Sequence, residues 1–324
     1  MMLNMVQALN QAMHQEMERD SRVLVLGEDI AVDGGVFRLT EGLLEKFGSE
    51  RVIDTPLAES TIVGAAIGMA VAGLRPIAEI QFMGFIYLAM NQLIAHAARL
   101  RNRSRGRFTV PIVIRTPYGA GVKALEHHSE STEVLFCQIP GLKVVVPSTP
   151  YDAKGLLLAS IRDDDPVIFL EPTRLYRAGR QDVPEDLYEI PLGKAKIVRE
   201  GEGVTVVAWG AMIPVVQQAA EIVGKDGLFP EVIDVRTLSP LDRETVLESV
   251  KRNGRLLIVH EAPKTCGLGA EIAAFVAERA MFQLEAPVLR VTGQDITVPL
   301  AKGEDYYYPS PERTARAIRK IMES

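Results

Sequence analysis

The sequence predicts an α/β fold of two domains, each a mostly parallel sheet with helices on both faces. Three observations predict it. The chain has 324 residues, more than a single core usually serves. Short runs of Val, Ile and Leu, the pattern of strands buried on both faces, alternate with longer segments of helical period. The alternation stops between Pro172 and Leu192, where TRLYRAGRQDVPEDLYEIP is charged, carries Pro184 and Pro191 and has no sustained period. That stretch reads as an inter-domain linker.

In chain order, Asn4 is placed to cap a first helix in which Val6, Leu9, Met13 and Met17 share one face. The strand RVLVL, residues 22–26, runs into Gly27-Glu28-Asp29, two acids at the carboxyl end of a parallel strand, where α/β folds place ligands. Gly34-Gly35 makes a loop, and Thr40 opens a short helix that Gly48 stops. Val52 and Ile53 lead to a turn at Thr55-Pro56. Glu59 then stands just before the small-residue helix STIVGAAIGMAVAG. There Gly64, Gly68 and Ala72 recur every four residues, a flat face that a neighbouring backbone can approach, and Gly73 ends the helix. IAEIQF reads as strand, and residues 85–104 as a helix ending in Arg99, Arg101, Arg103 and Arg105. Those arginines are a solvated last turn complementing the helix dipole, or a surface facing a partner. PIVIR, LKVVVP and PVIFLEP are further strands, with the helix YDAKGLLLASIRDDD between the last two. Beyond the linker, VTVVAWG, EVIDVRT, RLLIVH and PVLRVTG are strands. AMIPVVQQAAEIV, DRETVLESVKRNG, GAEIAAFVAERAM and ERTARAIRKIM are helices, which makes a second, smaller domain.

Composition excludes several function classes. A net charge of -6 argues against nucleic acid or an anionic membrane as the main partner. Cys137 and Cys266 lie far apart, so neither a disulfide scaffold nor a cysteine zinc site is expected. The opening residues lack the order of a signal peptide, and no apolar run reaches 18 residues. The chain reads as soluble and intracellular.

Local chemistry leaves alternatives open. Glu59 is either an acid held in a fixed, dry position or a helix-start glutamate favoured by the dipole. In Glu126-His127-His128-Ser129-Glu130 the adjacent imidazoles diverge, so they do not chelate one metal. The cluster is a surface loop, or an active-site loop in which one imidazole moves a proton. GAGVKA lacks the strand–helix register of a nucleotide fingerprint and reads as a flexible loop. Asp163-Asp164-Asp165 ends a helix, where acids oppose the dipole, which points to a bound cation or to a turn. Phe85 packs in the core or stacks on a flat ring. His260-Glu261 ends a strand, and Tyr306 to Tyr308 read as interface or packing. No Ser-His-Asp or Cys-His spacing supports covalent hydrolysis.

Several of these stretches together resemble the β subunit of the thiamine-dependent decarboxylase component of 2-oxoacid dehydrogenase complexes. They are GEDIAVDGGVFRLTEGL, DTPLAES, GLRPIAEIQF, HHSES, PGLKVVVPSTPYDAKGLLLASIRDDDPVIFLEP and EAPVLRVTG, in order and over nearly the whole chain. The resemblance implies a doubly wound, thiamine diphosphate-binding domain of the pyrimidine type over residues 1–180. A linker, 181–194, and a smaller α/β domain of the transketolase C-terminal type, 195–324, would follow.

By the same resemblance Glu59 contacts a ring nitrogen of the cofactor's aminopyrimidine, and Phe85 stacks on that ring with Leu57 and Gln81 beside it. His128, with Ser129 as its neighbour, faces the substrate and the incoming lipoyl group. Glu28 belongs to a polar tunnel between paired active sites. Ile112, Ser160, Ile161, Asp163 and Asp165 match positions that bind potassium, chiefly through carbonyls. The superfamily's Gly-Asp-Gly motif for magnesium and diphosphate is absent. The expectation is therefore half an active site, completed by an α subunit in an α2β2 heterotetramer that serves a lipoyl acyltransferase core. A self-sufficient transketolase-like enzyme and a non-catalytic docking subunit are the competing readings. GGVFRLTEGL and PYGAGVKALEHHS lean towards pyruvate as substrate, VTVVAWG and LLIVHEAP towards branched-chain 2-oxoacids such as 2-oxoisovalerate.

Overall fold

Asn4 begins the first helix, Met5–Arg19, by accepting a hydrogen bond from the Gln7 N–H while the Gln7 side chain accepts one from Asn4 N–H. Val6, Leu9, Met13 and Met17 are all buried, as their spacing requires. This helix lies along Pro150–Arg162 on one face of a seven-stranded sheet. The sheet runs, in spatial order, Thr237–Ser239, Lys143–Val145, Val167–Pro172, Val113–Tyr118, Arg75–Glu79, Val23–Gly27 and Val52–Asp54. All neighbours are parallel except the first pair. The computed structural model describes residues 1–324.

Strand periodicity divides the core. Val23 and Val25 face the helices Met5–Arg19 and Pro150–Arg162, whereas Leu24 and Leu26 face the helix Glu59–Val71 and the irregular helix that follows Phe82. The second face continues without a break into the C-terminal half, where Trp209, Ile233, Val246 and Ile258 join the same core. The smaller sheet there runs Leu289–Gly293, Leu256–Pro263, Thr205–Ala208, Glu231–Asp234 and Lys196–Arg199, with only the last strand antiparallel. Its outer face is covered by Met212–Gly224 and Pro311–Met322.

Five details differ from the sequence expectation. Thr40 does not cap the short helix Leu43–Phe47; Gly42 precedes it in a left-handed conformation, and the buried Thr40 hydroxyl donates to Ile30 O. The strand expected over IAEIQF ends at Glu79, which frees Gln81 and Phe82 for the site below. The helix over 85–104 begins at Met83 as a 3-10 turn, passes through a π-helical segment at Gln92–Ala97 and ends as α-helix at Arg103. Its arginines Arg99, Arg101, Arg103 and Arg105 are all exposed, and Arg101 also pairs with Asp165 at 2.7 Å.

The stretch read as a linker is tied down. Gln181–Asp182 pairs with Met2–Leu3, and the buried Lys154 ammonium donates to the carbonyls of Pro184, Glu185 and Asp186 and to Gln11. Polar composition hid this, because the contacts run through backbone carbonyls. The fifth difference is Thr237–Ser239, which leaves the second half of the chain to extend the first sheet. No helix is long and apolar enough to cross a membrane.

Candidate active site

The strands Val23–Gly27, Val52–Asp54 and Arg75–Glu79 end side by side, and their carboxyl edge carries the acids. Gly27 sits so close that a side chain there would press on the Glu79 carbonyl at 3.0 Å, which explains a glycine at the strand's end. Asp54 accepts from Ala31 N at 2.7 Å and Val32 N at 3.3 Å, fixing the loop after Glu28. Gln81 donates weakly to Asp29 at 3.4 Å. Glu59 opens the helix Glu59–Val71, is 6% exposed, and no group of the chain engages its carboxylate, although Asp29 and Asp54 beside it are engaged. Burial first, and then the charges of Asp29 and Glu59, push the Glu28 carboxyl above its usual range. Leu57 is 69% exposed.

Next to this acidic edge stands an aromatic group. Phe82 centres it: its ring lies 5.6 Å from Phe37, 5.9 Å from Phe85 and 4.5 Å from His128. Phe85 and His128 meet edge to face at 5.4 Å. The helix that Glu59 opens packs against Met83–Ala89, which bears Phe85 and packs in turn against Glu126–His128. Gly84 is the point of closest approach, where the backbone of His127 leaves no room for a Cβ. His128 is half-buried, and its Nδ1 is buried without a partner in the chain. Ser129 is buried, with an unpartnered hydroxyl. His127 points outward, near Glu130 at 4.0 Å.

An unengaged carboxylate, a half-buried aromatic ring and an imidazole with a free buried nitrogen can hold a flat, nitrogen-rich ring and move a proton beside it. Comparison with known proteins identifies the family. Residues 1–179 match the family described as "Transketolase, pyrimidine binding domain", and residues 193–314 match "Transketolase, C-terminal domain". The chain is 58% identical over 322 residues to the pyruvate dehydrogenase E1 component subunit beta of Acholeplasma laidlawii, covering 99% of this chain and 98% of that protein. It is 49% identical over 323 residues to the 2-oxoisovalerate dehydrogenase subunit beta of Bacillus subtilis (strain 168), covering 99% of each. The chain belongs to the E1 β-subunit family of 2-oxoacid dehydrogenases. A solved structure titled "Split gene transketolase, inactive beta4 tetramer" shares the fold, with a TM-score of 0.82 at 20% identity over 99% of this chain and 98% of that one.

Within this E1 β-type fold, the five residues expected to bind potassium lie together, at the opposite edge of the sheet from Glu59. Ile112 precedes its strand, while Ser160 and Ile161 close the helix Pro150–Arg162 and Asp163 caps it. Helix-end carbonyls are acceptors short of donors, so they suit a cation. Arg75 already donates to Ile161 O and Asp163 O, each at 3.0 Å. The Asp163 carboxylate is held by Lys143 at 2.6 Å, and Asp165 by Arg101 at 2.7 Å. Ile112 O and Ser160 O likewise accept, from Val167 N at 2.9 Å and Asp163 N at 3.3 Å. A cleft of about 770 Å³ lined by Arg101, Asn102, Arg105, Lys143 and Asp165 opens at this edge.

Sequence reasoning missed three features. Phe82 falls inside the strand expected over IAEIQF, whereas the strand ends three residues earlier, at Glu79. The buried Arg115, bonded to Glu171 at 2.7 Å and Glu79 at 2.9 Å, stands in a run that reads as apolar strand. It braces the strand ends below the site. Third, the two halves enclose polar groups next to the histidine loop. Burial pushes Glu133 up to about 7 and Glu261 up to about 8, and lowers His260 to about 4. Glu261 lies against Gly119, and Trp209 donates to Glu133 at 3.3 Å while stacking on His260. No local pattern marks these contacts, because each joins residues far apart in the chain.

Proposed function

We propose that this chain is the β subunit of a thiamine diphosphate-dependent 2-oxoacid decarboxylase component, working with an α subunit as an α2β2 heterotetramer. The assembly oxidatively decarboxylates a 2-oxoacid, pyruvate or a branched-chain one such as 2-oxoisovalerate, and reductively acylates the lipoyl group of an acyltransferase core. The observation that carries the reading is Glu59: a buried residue with an unengaged carboxylate, at the start of the helix that packs on the element bearing Phe85. These residues fit the aminopyrimidine half of the cofactor. The sequence holds no Gly-Asp-Gly run, so the α subunit is assigned the diphosphate and its magnesium. We take residues 1–180 as the pyrimidine-binding domain, 181–194 as a tethered linker and 195–324 as the C-terminal domain. Potassium is assigned to the carbonyls of Ile112, Ser160, Ile161, Asp163 and Asp165, in a bracing role, and the assembly to the cytoplasm.

When bound, thiamine diphosphate supplies the electron sink that decarboxylation needs. The chain's own part is proton placement. Glu59 makes a charge-assisted hydrogen bond to the ring nitrogen and so fixes where the pyrimidine keeps its protons. Phe85 holds the ring plane, with Leu57 and Gln81 at its border. Leu57, exposed in the single chain, gains cover from cofactor and α subunit. His128 faces the reacting carbonyl and the lipoyl group, where an imidazole donates a hydrogen bond or shuttles a proton. Glu28 extends the acidic edge towards the second active site.

Glu59→Gln tests the reading. Loss of a proton-placing carboxylate lowers decarboxylation by roughly 10²–10⁴-fold, with assembly on the α subunit intact. A variant within a few-fold of the parent contradicts it and favours a subunit that only docks.

A further inference from the structure

We propose that the segment Glu304–Tyr308 of the second domain positions the histidine loop of the first, with Tyr308 the positioning residue for His128. This rests on the role given to His128 above. The loop, residues 119–131, has almost no regular structure, only the single turn Glu126–His128. His128 touches Phe82 and Phe85, but its Nδ1 has no partner in the chain, so ring contacts alone do not fix its rotation. Its placement depends on the backbone; Tyr87 of the first domain holds the Glu130 side chain at 2.5 Å, and the segment Glu304–Tyr308 holds the loop on both sides of His128. The Tyr308 hydroxyl donates to the Ser129 carbonyl, one residue past His128, at 2.8 Å. Glu304 accepts from the Gly121 N–H at 3.2 Å, and Asp305 pairs with Lys123 at 2.7 Å.

The tethers differ in weight. Lys123 and Asp305 are more than half exposed, so water screens that pair. Tyr308 and Glu304 are 4% and 3% exposed, where an unmade hydrogen bond leaves a group stranded. Ala120, Tyr307 and Tyr308 form a separate small apolar cluster that seats the segment on the loop. The Tyr308 phenol is raised above its usual range, by burial first and then by Glu261 and Glu304, so it remains a donor at every working pH. The tyrosine run thus has a role beyond packing: it joins the C-terminal domain to the histidine loop.

The test uses the enzyme reconstituted with its α subunit and compares Tyr308→Phe, Glu304→Ala, Glu304→Gln and His128→Ala. Tyr308→Phe removes one hydroxyl. The expected result is faster amide exchange confined to residues 119–131. We also expect kcat for lipoyl acylation to be lower by about tenfold, the worth of one buried hydrogen bond, with KM for the 2-oxoacid within twofold. Glu304→Gln, which keeps an acceptor for Gly121, retains the activity that Glu304→Ala loses. Unchanged exchange in Tyr308→Phe overturns the proposal. So does unchanged turnover in Tyr308→Phe while His128→Ala is impaired. Unimpaired turnover in His128→Ala instead overturns the role of His128, and the two failures are told apart by the exchange data.

Discussion

Gly84→Ala is the smallest change that disturbs the site without touching a group expected to meet substrate. A Cβ at position 84 meets the His127 Cα at 3.0 Å and its carbonyl oxygen closer still, and both are backbone, with no flexible side chain to give way. Ordinary contact begins near 3.4 Å, so the histidine loop must retreat by about 1 Å, a displacement that costs on the order of 10²-fold in a reaction that depends on position. Strain of this kind is worth about 1–3 kcal/mol of stability, too little to unfold a chain with so extensive a core. The assay is 2-oxoacid decarboxylation by the reconstituted enzyme, beside a melting curve. The expected outcome is turnover reduced by about 10²-fold with a native-like melt. Gly224→Ala, at a helix end where the nearest side chain is 4.0 Å away, is the control and leaves turnover unchanged. A Gly84→Ala enzyme within threefold of the parent, by the same measure, refutes the reasoning that the loop bears on Gly84.

Two further outcomes follow from the buried charges. Arg115→Met strands Glu79 and Glu171, 7% and 0% exposed, and breaking such a buried network costs about 3–5 kcal/mol, a fall in Tm on the order of 10 °C for a chain of this size. Burial already raises the Glu79 carboxyl, so protonation relieves the variant and its deficit shrinks as pH falls from 8 towards 5; a deficit that grows at low pH contradicts the assignment. Glu261, pushed up to about 8 by burial, contributes stability that is full below its unfolded value and lost as pH rises through about 8. Glu261→Gln removes that loss, so its Tm exceeds the parent's by an amount that widens from pH 5 to pH 8.5. Parallel curves sink the claim.

What the sequence made legible was whatever a local pattern encodes. The Val and Leu alternation of residues 23–26 gave a doubly covered parallel strand, and Asn4 with its 3.6-residue apolar spacing gave the first helix. Glu28 and Glu59 could be placed at a carboxyl strand edge because their strands could be. Illegible features depend on partners far away in the chain. Thr40 reads as a helix opener, but Ile30 O takes its hydroxyl, and a charged, proline-bearing stretch reads as an inter-domain linker, but Lys154 gathers its carbonyls. Thr237–Ser239 pairs with Lys143–Val145 across 92 residues, a choice no short-range propensity records. The site divides the same way. Glu59 and His128 stand in motifs, whereas Phe82 and Tyr308 matter through contacts that only the folded chain creates.

The central claim is that this chain supplies half of a shared active site, organised by Glu59. The measurement that tests it most directly is 2-oxoacid decarboxylation, with thiamine diphosphate and magnesium present, by the purified chain alone and after mixing with its α subunit, using pyruvate and 2-oxoisovalerate in parallel. The chain alone is expected to show no turnover, and the mixture to turn over at least one substrate. Turnover by the chain alone contradicts the claim.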